Sequence, residues 1–181
     1  MVVLGIDPGT ANTGYGVVAR RGNRLVALDG GVIETSAGVD LSLRLATIHA
    51  RMCELLDEHE PASMAVEDLY FGANARSALA VGQARGVVLL AAGARRVPCA
   101  SYTPQQIKGA VCGSGRADKG QVQRMVAVLL GLPAPPTPDH AADALAVAVC
   151  HAQGAPLRAA VDAVDEVDTR TPLERAIARA T

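Results

Sequence analysis

The chain has 181 residues, half of them hydrophobic and most of those alanine or valine, and a formal net charge of −1. That length supports one domain with an ample core, and the only aromatics, Tyr15, Tyr70, Phe71 and Tyr102, leave the core to aliphatic side chains. No apolar run is long enough to span a bilayer, the start MVVLGIDPGT lacks the basic region of a signal peptide, and Cys53, Cys99, Cys112 and Cys150 are scattered; these features predict a cytoplasmic protein, no membrane partner, no disulfide or zinc framework, and buried free thiols.

Residues 2–7 read as a buried strand ending in Asp7, and Pro8-Gly9-Thr10 as a turn. A second strand covers 15–20, and Arg21-Gly22-Asn23-Arg24 links it to a third near 25–35. Three strands joined by tight turns predict an antiparallel meander. Leu41, Leu45, Ile48, Met52, Leu55 and Leu56 have helical spacing, which predicts a helix over 41–58. Residues 64–67 form a short strand ending in Glu67, and a helix over 74–92 carries Gly82 and Gly86 four residues apart. A short strand over 97–101 precedes helices over 104–112 and 118–130. The proline-rich stretch 132–138 is a loop. Thr137 as N-cap and Pro138 at the first helical position then start a helix through Cys150. Gly154-Ala155-Pro156 opens a tail in which Thr171-Pro172-Leu173-Glu174 is a capping box for a short terminal helix. Strands first and strand–helix alternation afterwards predict a mixed α/β sheet, as one domain over 1–152 followed by a flexible tail over 153–181.

The charge is unevenly distributed. Residues 1–68 carry a net −5, 69–138 a net +7 and 139–181 a net −3. A basic middle in an acidic protein is either a footprint for a polyanion or a solvated surface. Four residues stand out against apolar surroundings: Asp7 and Glu67 at strand ends, and His140 and Asp143 three residues apart on one helix face. Asp143 lies within Ala141-Ala142-Asp143-Ala144-Leu145-Ala146-Val147, where capping does not explain it. Buried carboxylates shift their pKa or find a cation, and carboxylates gathered from distant segments suit magnesium or manganese. Two such ions ~3.5–4 Å apart can bind a scissile phosphate between them. His140 is either a ligand or the group that orients or deprotonates the attacking water. Asp139 competes with it, but points about 100° away around the helix axis. Gly5 and Gly9 flank Asp7 and would allow close approach by a substrate.

The ordered set Gly5-Ile-Asp-Pro-Gly-Thr10, Glu67, Asn74-Ala-Arg-Ser-Ala-Leu79, Gly82-Gln-Ala-Arg-Gly86, Tyr102-Thr-Pro-Gln-Gln-Ile-Lys108, Gly115-Arg-Ala-Asp-Lys119 and Asp139-His-Ala-Ala-Asp-Ala-Leu145 resembles the RuvC-type Holliday-junction resolvases over roughly residues 2–152. That resemblance implies a ribonuclease H-like fold, a mixed five-stranded sheet flanked by helices. It implies a homodimeric endonuclease that cuts four-way DNA junctions symmetrically with two Mg2+ or Mn2+ ions per subunit, leaving 5′-phosphate and 3′-hydroxyl ends. Its acidic quartet falls on Asp7, Glu67, position 140 and Asp143. Many members have Asp where this chain has His140, and imidazole tilts the preference toward manganese. The resemblance makes Tyr70 a base-stacking aromatic beside Phe71, places Lys108 and Lys119 near DNA and the active site, and makes Arg76, Arg85 and Arg116 phosphate contacts. It puts Gly82 and Gly86 at the dimer interface and implies the RuvA and RuvB branch-migration complex as partners. Two rivals remain: an actin-like or sugar-kinase-related ATPase domain, suggested by the turn after Asp7, and a non-catalytic junction-binding module.

Overall fold

The computed structural model describes residues 1–68 and 75–165, with side chains described over 1–68 and 78–154. The elements are β1 (Val2–Asp7), β2 (Asn12–Arg21), β3 (Arg24–Glu34), α1 (Leu41–His59), β4 (Ser63–Glu67), α2 (Ala75–Ala94), β5 (Cys99–Tyr102), α3 (Pro104–Cys112), α4 (Lys119–Leu130) and α5 (Asp139–Asp165). The five strands form one sheet in the order β3-β2-β1-β4-β5. The first three pair antiparallel, as the short connections require, and β1–β4 and β4–β5 pair parallel across helical crossovers.

A central strand covered on both faces needs a continuous apolar run rather than an alternating one, and β1 supplies it. Leu4 and Ile6 join Met64 and Val66 in a core under α1 and α2. Val3 and Ala65 join a second core under α3, α4 and α5. Tyr102 is the only aromatic buried in either core among the described residues.

Helix α5 lies on β1 and β2 at backbone distance, and glycine makes this possible. A Cβ on Gly5 would collide with the Ala144 carbonyl, one on Gly14 with the His140 carbonyl, and one on Gly16 would come within 2.8 Å of the Leu145 side chain. Gly5 therefore accommodates the protein's own helix and not a substrate, which corrects the sequence reading. The opposing atoms at Gly5 and Gly14 are backbone and cannot rotate aside. Gly14→Ala should destabilise the fold by about 1–3 kcal/mol, read as a lower urea midpoint with unchanged slope. An unchanged midpoint would show that α5 can lift off the sheet freely.

Helix α5 departs from expectation at both ends. The Pro138 carbonyl accepts from the Ala141 and Ala142 N–H groups, so Pro138 is the cap and Asp139 the first helical residue. The helix also does not stop at Cys150 but continues to Asp165, through Pro156. Proline has no N–H for the carbonyl four residues back, which here is Ala152. The Arg20 guanidinium donates to that carbonyl instead. The cysteines are free, as expected, but only Cys150 is buried; Cys99 is exposed. No helix among the described residues is long and apolar enough to cross a membrane.

Candidate metal centre

β1 and β4 run parallel in register, with Ile6 opposite Val66. Each strand therefore ends in a carboxylate, Asp7 and Glu67, side by side at the same sheet edge. Both turn toward α5, whose first turns deliver His140 and Asp143. Ligand atoms from Asp7, His140 and Asp143 all lie within 4.8 Å of one another. His140 Nδ1 sits 2.7 Å from Asp7 Oδ2. With the carboxylate accepting, Nδ1 carries the proton and Nε2 remains as the ring's lone-pair donor.

Glu67 lies beside Asp7 but outside the group of three whose ligand atoms gather within 4.8 Å. Burial, and then the charges of Asp7 and Asp143, push its carboxyl up to about 7, with Lys108 opposing. Burial also raises Asp143, against the ammonium of Lys119. Three crowded carboxylates and an imidazole, two of the carboxyls held above their ordinary range, match the donor set of a divalent oxygen- and nitrogen-seeking cation.

Two capped helices frame this cluster. Thr103 and Gln106 form a capping box at the start of α3, and Asp118 and Gln121 form another at the start of α4. They fix Lys108 and Lys119, which line a cavity of about 170 Å3 with Glu67 and Asp143 above Ile107 and Val122. Lys119 Nζ lies 3.1 Å from Asp143 Oδ2 and 3.1 Å from Asp139 Oδ2. Asp139 also accepts from Gln123 Nε2 at 2.9 Å. Lys119 first, and Gln123 with it, hold the Asp139 carboxyl below its usual range. Asp139 is thus engaged outside the cluster, as its angle on the helix predicts.

The remaining expected residues separate. Arg116 lies outside the cavity and lines an adjoining groove of about 490 Å3 along α4, with Arg124, Met125 and Val128. Arg85 does not reach outward for phosphate: its Nη2 donates to Ser101 Oγ at 2.7 Å and faces Asp68. Arg95, part of the basic middle, forms a two-pronged pair with Asp57. Tyr70 and Phe71 lie outside the described residues, as does the side chain of Arg76. Gly86 faces open space rather than the chain's own sheet, with Leu79 and Leu90 exposed on the same helix. Sequence reasoning missed Gly14 and Gly16, which let α5 bring His140 down onto Asp7. The available signal was two glycines with one residue between them, directly before the apolar run Val17-Val18-Ala19.

A family model described as Crossover junction endodeoxyribonuclease RuvC matches residues 3–151. The crossover junction endodeoxyribonuclease RuvC of Moorella thermoacetica is 58% identical over 158 residues, covering 87% of this chain and 95% of that protein. The structure is similar to that of Thermus thermophilus RuvC in complex with a Holliday junction substrate, with a TM-score of 0.83 and 44% identity over 87% of this chain and 96% of that one. The yeast mitochondrial Holliday junction resolvase Ydc2 shares the fold at a TM-score of 0.57 and 14% identity, over 82% of this chain and 77% of that one. The mixed five-stranded sheet with its flanking helices is accordingly ribonuclease H-like.

Proposed function

The chain belongs to the RuvC family of crossover junction endodeoxyribonucleases, and from that premise we propose that it resolves four-way DNA junctions by symmetric, metal-assisted phosphodiester hydrolysis, leaving 5′-phosphate and 3′-hydroxyl ends. The observation that carries this reading is the convergence of Asp7, His140 and Asp143 within 4.8 Å, beside a Glu67 whose carboxyl is pushed up to about 7. Asp7, Glu67, His140 and Asp143 would hold two divalent ions, Mg2+ or Mn2+, which when bound neutralise the scissile phosphate, activate water and stabilise the departing 3′ oxygen.

The chain's own groups do the rest. Asp7 orients the His140 ring through Nδ1, which directs Nε2 toward a ligand or toward the proton of the attacking water. Lys119 and Lys108 supply compact positive charge at the cavity rim, where a backbone phosphate would enter. Arg116 and Arg76 extend that contact along the DNA, and Tyr70 with Phe71 stacks on bases at the junction centre. The exposed face of α2, with Gly82, Gly86, Leu79 and Leu90, serves a homodimer, whose two-fold axis matches a substrate with two equivalent strands. Cytoplasmic residence and work alongside the RuvA and RuvB branch-migration complex complete the proposal.

The test is a synthetic mobile four-way junction incubated with the protein and Mg2+ or Mn2+. Paired nicks at equivalent positions on opposed strands, abolished by chelation, are expected. Tight binding without nicks would reduce the chain to a binding module, and ATP turnover would favour the phosphate-loop rival. That rival draws on the loop around Asp7 and a shared core topology, whereas the family match runs over residues 3–151.

A further inference from the structure

We infer that Arg85 is a positioning residue: from the inner side of α2 it clamps the ends of β4 and β5, tying the helix proposed for dimer contact to the strand that delivers Glu67. The inference rests on the proposed nuclease reading for its importance, and on geometry for its content. Arg85 Nη2 donates to Ser101 Oγ at 2.7 Å and lies 3.4 Å from Asp68 Oδ1. Its Nε is buried and has no hydrogen-bond partner.

Both anchors sit where the sheet is weakest. β5 is an edge strand of four residues, and Ser101 pairs with Val66. Asp68 follows Glu67 directly, and its N–H donates to the Tyr102 carbonyl at 2.8 Å, the last rung of the ladder. Because side chains alternate along a strand, Val66 and Asp68 face α2 while Glu67 faces α5. The guanidinium therefore grips the opposite face of the strand end that presents a carboxylate to the metal centre. Nη2 alone makes both contacts while the buried Nε goes unmatched, a costly arrangement, so this arginine is held across the two strand ends rather than spread into solvent for phosphate. The next residue, Gly86, faces open space on the outer side of the same helix, and Leu90 is exposed one turn further on. Pressure on that face reaches Asp68, and with it Glu67, through one side chain.

The full chain should be assayed on a synthetic junction by mobility shift and single-turnover cleavage, with hydrogen exchange of the metal-free protein alongside. Arg85→Gln should leave junction affinity within about twofold and slow cleavage about tenfold or more, the scale expected when a reacting group is misplaced. Asp68→Asn should slow cleavage in the same direction. The double variant should be slower than Arg85→Gln alone by clearly less than the full Asp68→Asn effect, the signature of coupled partners. Arg85→Gln should also speed exchange of the Asp68 amide, a readout independent of cutting. If Arg85→Gln fails to fold, Arg85→Lys and Ser101→Ala carry the same comparison. Weakened affinity with a shallower salt dependence would make Arg85 a phosphate contact and overturn the clamp. So would strictly additive effects of the two substitutions, or an unaltered Asp68 amide. If the unmodified chain does not cut junctions at all, the proposed function fails, and the exchange experiment still decides the clamp.

Discussion

Asp7→Asn should lower the single-turnover cleavage rate by a factor of about a thousand or more, roughly 4 kcal/mol of barrier, while junction affinity holds or rises. Asparagine keeps the shape of aspartate but removes one formal charge and one oxygen from the centre of the cluster. Asp7 touches every other member's chemistry: it orients His140 at 2.7 Å, raises the Glu67 carboxyl by its charge, and has a ligand atom within 4.8 Å of one on Asp143. On the proposed reading its loss removes a cation ligand, and it releases the imidazole from its fixed orientation. Binding should behave differently, because Asp7 would repel the phosphate that Lys108 and Lys119 are proposed to attract. Removing that repulsion costs nothing in affinity. Single-turnover kinetics and mobility shifts on the same junction separate the two quantities. A parallel fall in both would mean that Asp7 supports the fold or the DNA surface rather than the reaction. Asp139→Asn is the matched control. It removes a charge one residue from His140, yet the side chain is tied to Lys119 and Gln123 and to none of Asp7, His140 and Asp143, so cleavage should stay within a few-fold of the unmodified chain.

Much of the molecule was legible in the sequence because local pattern and tertiary role agreed. The apolar run before Asp7 is a strand because a central position buries both of its faces. Asp143 stood out because a carboxylate inside an alanine- and valine-rich helix has no local explanation, and its partners came from strand ends that also terminate in acids. What escaped notice depends on distant neighbours. The carbonyl left without a partner by Pro156 is met by Arg20, 132 residues away in the chain, and no local signal reports such a donor. The glycines at 14 and 16 have no visible role until the helix they admit is in place. Arg85 reads as surface charge because its anchors, Asp68 and Ser101, lie on two other segments. The start of α5 moved by one residue because Thr137 followed by Pro138 matches the usual order of cap and first helical residue, whereas the carbonyl that accepts the first helical bonds proved to be that of Pro138.

Glu67→Gln should make the metal-free protein more stable at pH 8 while destroying cleavage, an opposition expected of a carboxylate held for chemistry at the expense of the fold. Burial first, then the nearby charges of Asp7 and Asp143, push the Glu67 carboxyl up to about 7 from 4.5. The folded state therefore binds this proton more tightly than the unfolded chain does. Its stabilising contribution is full below pH 4.5 and is lost as the pH rises through 7, a total on the order of 3 kcal/mol. Glutamine is neutral throughout and cannot lose it. In chelator, thermal unfolding of the unmodified chain should fall between pH 5 and 8 by roughly 6–12 °C more than that of the variant. Added Mn2+ or Mg2+ should reverse the order at pH 8, because a cation that binds only the folded state stabilises it and Glu67 then serves as ligand rather than as an unpaired charge. The variant should gain far less from the same ion. Equal pH slopes in chelator would show that Glu67 is not strained by its neighbours. Equal cation stabilisation in both proteins would remove Glu67 from the metal centre.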